Sequence, residues 1–267
     1  EIAFVWNGGG DQFDIYSKLI GSSGEPQRLT HSSLPSIHPA WSPDGKQLVF
    51  LREAGTDAPL SEPGGEVQLI VLDAVTHRER LIRRMQDSLG LWGLSNPLAG
   101  CQTLSWSPHG DQIILTNPSG QEHGLISISI LTGEQKTISK PGDTDQDCYS
   151  RLSPDGKTIA FVRLISHALG YLYTIDVTGN HLNRLTRDVK DLRGLGWTPD
   201  GSHLVFASRV GGVDQLRMIS VQGGQPIPLP AATASASNPF VSPNGKFVAF
   251  VESHENWNIW RVEIKGN

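Results

Sequence analysis

Five short apolar runs recur along the chain, at 48–51, 113–116, 159–162, 204–207 and 248–251. After a run comes a stretch in which apolar and polar residues tend to alternate, as in Gln68-Leu69-Ile70-Val71-Leu72-Asp73 and Tyr171-Leu172-Tyr173-Thr174-Ile175-Asp176. A short polar piece follows, as in Gln27-Arg28-Leu29-Thr30 and Asn183-Arg184-Leu185-Thr186. A brief apolar run bounded by turn residues predicts a strand covered on both faces. Alternation predicts a strand with one face exposed. The polar piece predicts an outer edge, kept short to discourage pairing with other molecules. A fourth strand leads into each apolar run and carries small residues such as Ser105, Gly194 and Gly196, as expected where backbones crowd.

The connection between the first and second strands is a repeated phrase. It stands as Trp41-Ser42-Pro43-Asp44-Gly45, Trp106-Ser107-Pro108-His109-Gly110, Leu152-Ser153-Pro154-Asp155-Gly156, Trp197-Thr198-Pro199-Asp200-Gly201 and Val241-Ser242-Pro243-Asn244-Gly245. Its proline recurs at steps of 65, 46, 45 and 44 residues, and a period of that size means a propeller or solenoid. Proline presets φ at the second turn position and glycine accepts a positive φ at the end, so the phrase predicts a type I hairpin.

Ile2-Ala3-Phe4-Val5 matches a second strand, and 258–264 matches a third. The phase therefore predicts one all-β domain over 1–267, a six-bladed β-propeller of four-stranded antiparallel blades at about 1–30, 31–82, 83–139, 140–186, 187–230 and 231–267. Blade one lacks its inner strand and blade six its outer strand. A segment of about 20 residues upstream of Glu1 is expected to supply both. A monomer is expected, with edge-strand dimerisation of the fragment at the unpaired edges.

The chain of 267 residues is 37% hydrophobic, enough for a sizeable core, and its formal net charge is −5. That balance argues against a nucleic-acid surface. Arg78, Arg80, Arg83 and Arg84 form the one basic patch, read as a solvated outer strand. No apolar run approaches a membrane span, so no membrane contact is expected. Cys101 and Cys148 are too few for a disulfide framework. They precede consecutive inner strands at six and five positions before Ser107 and Ser153, which leaves both a bond and two buried thiols open.

The phrase W-S-P-D-G-K-x-(I/L)-x-F, followed by Asp14-Ile15-Tyr16 or Asn258-Ile259-Trp260 and closed by Arg-Leu-Thr, resembles the six-bladed TolB-like β-propeller repeat over essentially the whole chain. The resemblance implies a periplasmic or extracytoplasmic setting. It also implies one of three roles: a protein-binding module, an accessory domain of a serine peptidase, or the C-terminal sensor of a membrane-bound bacterial transcriptional regulator or kinase. The opening residues 1–8 with Phe13-Asp14-Ile15-Tyr16 look most like the sensor group. His109, Asn244 and Thr198 depart from the repeat, but only within turns.

Length variation is confined to the second-to-third and fourth-to-first connections: 53–66, 83–102 and 140–147. Both kinds emerge at one end of a four-stranded blade, and loops varying on a uniform scaffold are the usual place for binding. Candidate binding residues at that end are His31, His38, Trp92, Asp143, Asp145, Asp147 and Trp257. Asp143, Asp145 and Asp147 alternate like the start of a calcium loop, but the glycine and glutamate that complete one are missing. They are weak metal candidates and read better as a solvated acidic loop. Trp92 is placed to cap the channel or to pack its own loop. The histidines lack zinc spacing, and no Gly-x-Ser-x-Gly elbow occurs. No cofactor is expected. The favoured function is a non-enzymatic binding or sensing propeller that recognises a protein segment or small ligand at the mouth of its central channel, within a larger regulator. The alternatives are a propeller gating a serine peptidase, and a metal-dependent lyase or hydrolase.

Overall fold

The structure, a computed structural model, describes residues 1–10, 12–54, 65–87, 103–119, 123–166, 169–187, 189, 191–230, 235–252 and 258–263. It comprises two compact units, Glu1–Lys136 and Thr137–Asn267.

The first unit holds three sheets. β1 (Ile2–Trp6), β2 (Asp14–Lys18) and β3 (Gln27–Arg28) form one. β4 (Ser36–Trp41), β5 (Gln47–Glu53), β6 (Gly65–Asp73) and β7 (Glu79–Asp87) form the next. The third is β8 (Ser105–Trp106), β9 (Gln112–Thr116), β10 (Leu125–Ser129) and β11 (Gln135–Thr137). In the second unit β12 (Gln146–Leu152), β13 (Thr158–Ser166), β14 (Leu169–Asp176) and β15 (Asn183–Arg184) form a sheet. β16 (Leu192–Trp197), β17 (His203–Val210), β18 (Val213–Ser220) and β19 (Ile227–Pro228) form another. β20 (Ala236–Val241), β21 (Phe247–Glu252) and β22 (Asn258–Glu263) complete it. Within each sheet the strands follow sequence order and run antiparallel. The fold is an all-β propeller of antiparallel sheets. Instead of six equal blades, five sheets carry an inner strand running into the repeated turn, and β1–β3 form a partial sheet without one among the described residues.

The doubly covered strand is clearest in β5. Leu48 and Phe50 pack with Ile15 and Leu29 of the first sheet. The alternate residues Val49 and Leu51 pack with Ile113, Leu115 and Ile126 of the third. Each such fully buried side chain contributes about 1.5–3 kcal/mol. Blade-to-blade contact is also polar. The Trp106 indole N–H donates to the Ala40 carbonyl at 2.9 Å, and the Trp197 indole does the same to the Arg151 carbonyl at 2.9 Å.

The repeated turn forms as its sequence dictates. Gly45 donates its N–H to the Ser42 carbonyl at 2.9 Å and adopts φ 68°. The Ser42 hydroxyl donates to Asp44 Oδ1 at 2.6 Å and accepts from the Gln47 N–H at 2.9 Å. Where His109 replaces the aspartate, Ser107 Oγ bonds Asp111 Oδ1 instead, at 2.6 Å. A carboxylate two residues later does the same work.

One strand departs from the predicted gradient. β3, β15 and β19 are two residues long, but β7 spans nine and pairs along β6 from Gly65↔Asp87 to Leu72↔Glu79. Residues 83–87, read from the sequence as loop, therefore belong to a strand. The basic patch explains the extension. Arg80 donates to the Ile130 carbonyl and Arg83 to the Gly133 carbonyl, both in the turn between β10 and β11, at 2.9 and 2.8 Å. Arg84 pairs with Glu66.

Candidate functional site

The central strands are apolar until they reach the loop-bearing end of the blade, where they become polar while staying buried. Nine residues after the turn proline stand Arg52, Asn117, Arg163, Ser208 and Glu252. Arg52, Ser208 and Glu252 are buried. Buried charge costs free energy unless it is paired, so each partner matters.

In the first unit, Arg52 forms a bidentate pair with Glu79, with one contact at 2.7 Å, and its Nε donates to Ser36 Oγ at 3.0 Å. The guanidinium also lies 5.1 Å from the Phe50 ring centroid. Asp14, buried at the start of β2, accepts from the Thr30 hydroxyl at 2.8 Å and pairs with Arg28 at 2.5 Å.

In the second unit, Arg163 on β13 faces Asp147 on β12, because these residues are register partners. Arg163 Nε reaches Asp147 Oδ1 at 2.7 Å and Nη2 reaches Oδ2 at 2.9 Å. The Ser139 hydroxyl donates to Asp147 Oδ2 at 2.5 Å. The guanidinium lies 5.6 and 5.4 Å from the Phe161 and Tyr173 ring centroids, within cation–π range. Burial pushes the Asp147 carboxyl above its ordinary value, against the downward pull of Arg163 and Ser139. In the next blade, buried Asp214 sits between Arg193 and Arg209 at 3.7 and 3.5 Å, looser contacts that leave Oδ1 without a hydrogen bond among the described residues.

The inner strands bend as they approach this end. β4, β12, β16 and β20 each carry a bulge, and the register shifts between Ile37/Ala40, Cys148/Arg151, Leu192/Leu195 and Ser237/Phe240. The bulged residue adopts a left-handed backbone in all four: His38 at φ 55°, Tyr149 at 53°, Gly194 at 81° and Asn238 at 48°. A bulge re-aims side chains and is common beside functional sites.

The predicted site residues divide accordingly. His38 is half-buried at the bulge of β4, and His31 is exposed just before that strand. Asp143 is exposed and Asp145 half-buried, but Asp147 is fully buried within β12. The acidic loop therefore ends before Asp147, which serves Arg163. The three aspartates do not form one ligand set, and no group of three metal-binding side chains converges among the described residues. Trp92, Trp257 and Cys101 lie outside the described residues, so the Cys101–Cys148 bond does too. Cys148 is buried. Sequence reasoning missed Arg52, Arg163 and Asp214, though the position nine residues after the turn proline marks the first two.

The opposite, short-turn end of the second unit contains a cavity of about 560 Å³, lined among others by Asp155, Asp176, His181, Trp197 and Asp200. His181 Nδ1 lies 2.6 Å from Asp176 Oδ2. The Thr198 and Ser202 hydroxyls each donate to Asp200 at 2.6 Å and hold its carboxyl down to about 2. These carboxylates are engaged in turns and lack the buried, cross-strand pairing of the other end.

The repeated turn and the antiparallel sheets it heads are those of a β-propeller of the TolB kind. The chain belongs to the TolB beta propeller domain family, whose match covers residues 98–267. It is 28% identical over 204 residues to an uncharacterised peptidase, YuxL, of Bacillus subtilis, covering 73% of this chain and 25% of that protein. It is 26% identical over 217 residues to the Tol-Pal system protein TolB of Francisella tularensis, covering 78% of this chain and 46% of that protein. The crystal structure of TolB from Acinetobacter baumannii superposes with a TM-score of 0.73 at 18% identity, covering 98% of this chain and 60% of that one. The chain thus spans between a quarter and about half of the length of these curated relatives.

Proposed function

We propose that this chain is a non-enzymatic recognition propeller that binds a peptide segment or small ligand at the loop-bearing ends of its blades. The observation that carries this reading is the concentration of buried, paired charge there, with the inner-strand bulges beside it. The Arg52–Glu79 and Arg163–Asp147 pairs tie neighbouring strands together at this end, so the loops mount on a braced scaffold. His31, His38, Trp92, Asp143, Asp145 and Trp257 are the proposed contact residues. The family resemblance supports an extracytoplasmic location. A role as the sensor of a regulator or kinase rests on the opening residues alone.

A random-peptide display library panned against the protein tests the reading. Selected peptides should lose at least tenfold in affinity for Trp92→Ala and Asp143→Ala variants and keep their affinity for Gln222→Ala, at the turn end. Loss confined to Gln222→Ala would place recognition at the wrong end. The similarity to a peptidase-named protein four times longer than the matched segment favours one second reading: an accessory propeller that controls access to a hydrolase domain. In that case a hydrolase domain supplied in trans would be retained by the propeller and its peptide turnover would change.

A further inference from the structure

Arg151, on the inner strand β12, has a buried Nε without a partner and no carboxylate in ion-pair contact among the described residues. The residue immediately before the turn-leading position is Ala40, Ser105, Gly196 and Phe240 in the other inner strands, and Arg151 in this one. A long cation thus stands in a row of small or apolar residues.

Its backbone is fixed. Arg151 pairs with Ala160 of β13, and its carbonyl accepts the Trp197 indole N–H at 2.9 Å. Its head group is not. Nη1 donates to the adjacent Ser150 carbonyl at 3.3 Å, a long contact, and the buried Nε has no partner among the described residues. Other arginines here are matched: Arg28 with Asp14, Arg52 with Glu79 and Arg163 with Asp147. No described carboxylate pairs with Arg151. Burial alone lowers its pKa to about 10, still far above neutrality, so it is charged at pH 7. The residue as a whole keeps partial exposure.

A guanidinium presents five N–H donors in a rigid plane that matches carboxylate and phosphate groups. A charged hydrogen bond is worth most where water is already excluded. We propose that Arg151 is an oxyanion-binding residue, taking the carboxylate or phosphate group of a ligand that reaches the inner strands of the second unit. This inference stands apart from recognition at the loop ends, because Arg151 lies at the turn end of β12.

Titration calorimetry with inorganic phosphate, and separately with acetate, at constant ionic strength provides the test. The wild-type protein should bind one or both saturably at one site per chain. Phosphate alone or acetate alone would identify the preferred group. Arg151→Gln should weaken binding at least tenfold, Arg151→Lys should restore part of it, and Arg209→Gln should leave it unchanged. Without anion, Arg151→Gln should melt no lower than wild type, because it removes a charge that folding leaves unpaired. The proposal is overturned by wild-type protein that binds neither ion saturably, by unchanged binding in Arg151→Gln, or by an Arg151→Gln protein that melts lower or fails to fold.

Discussion

The Asp147–Arg163 pair supports a quantitative prediction. Asp147 is fully buried and Arg163 exposes 12% of its side chain, so neither charge is strongly screened. Replacing Arg163 with Met strands a buried carboxylate without its guanidinium partner, while Ser139 still bonds it. Breaking a buried pair this way costs about 3–5 kcal/mol. Asp147→Asn leaves a guanidinium that still faces Phe161 and Tyr173, and should cost about 1.5–3 kcal/mol, the worth of hydrogen bonds to a charged group. The double variant removes both charges and should cost less than Arg163→Met alone, giving a favourable coupling of at least ~2 kcal/mol. The sign of the pH effect follows from the direction of the Asp147 shift. Burial already raises its folded pKa above the unfolded value near 3.8, and removing Arg163 raises it further. A group with a raised folded pKa holds its proton more tightly in the native state, so stability falls as pH rises through the folded pKa. The Arg163→Met deficit should therefore be largest at neutral pH and shrink as pH falls toward 3.8. Urea unfolding of the four proteins at pH 7 and pH 4 measures both quantities. An Arg163→Met deficit below about 1 kcal/mol that is the same at both pH values would refute the assignment of these residues as a desolvated pair.

Three further outcomes are expected. His109→Asp should change stability by less than about 0.5 kcal/mol in a thermal melt, because Asp111 already bonds Ser107, whereas Asp111→Ala should destabilise by about 1 kcal/mol. Gly194→Ala would place a Cβ 2.7 Å from Asn238 Cα at φ 81° and should cost at least ~2 kcal/mol by urea unfolding, while Gly211→Ala, at φ 60° with open space around it, should cost about 1 kcal/mol. The Asp200 carboxyl should stay ionised to about pH 2 by NMR titration. Its stabilising effect is present above the unfolded value near 3.8 and lost as pH falls through its folded pKa, and Ser202→Ala should raise that pKa.

The blades were legible because their causes are local. The turn phrase and the doubly apolar run are written within each repeat, and β5 buries alternate residues against two sheets as its pattern requires. The length of β7 was not legible. Its arginines read as a solvated edge, yet Arg80 and Arg83 bond carbonyls 50 residues away. Asp147 was misread for a similar reason. An acidic alternation looks solvated until the antiparallel register brings Arg163, 16 residues on, opposite it. His109 departs from the repeat in sequence but not in structure, because Asp111 replaces the missing carboxylate. The bulges were only partly visible: Gly194 marks one, but His38, Tyr149 and Asn238 give no glycine signal. The arginine unmatched at 151 could be singled out only after its neighbours were placed.

The central claim is that recognition occurs at the loop-bearing ends of the blades. Hydrogen exchange of the protein with and without a display-selected peptide tests it most directly. Recognition at the loop-bearing ends should protect the inner-strand starts, 36–40, 146–150, 191–195 and 235–239, and leave exchange unchanged in the turns at 42–45, 153–156, 198–201 and 242–245. Protection of those turns with unchanged strand starts would contradict it.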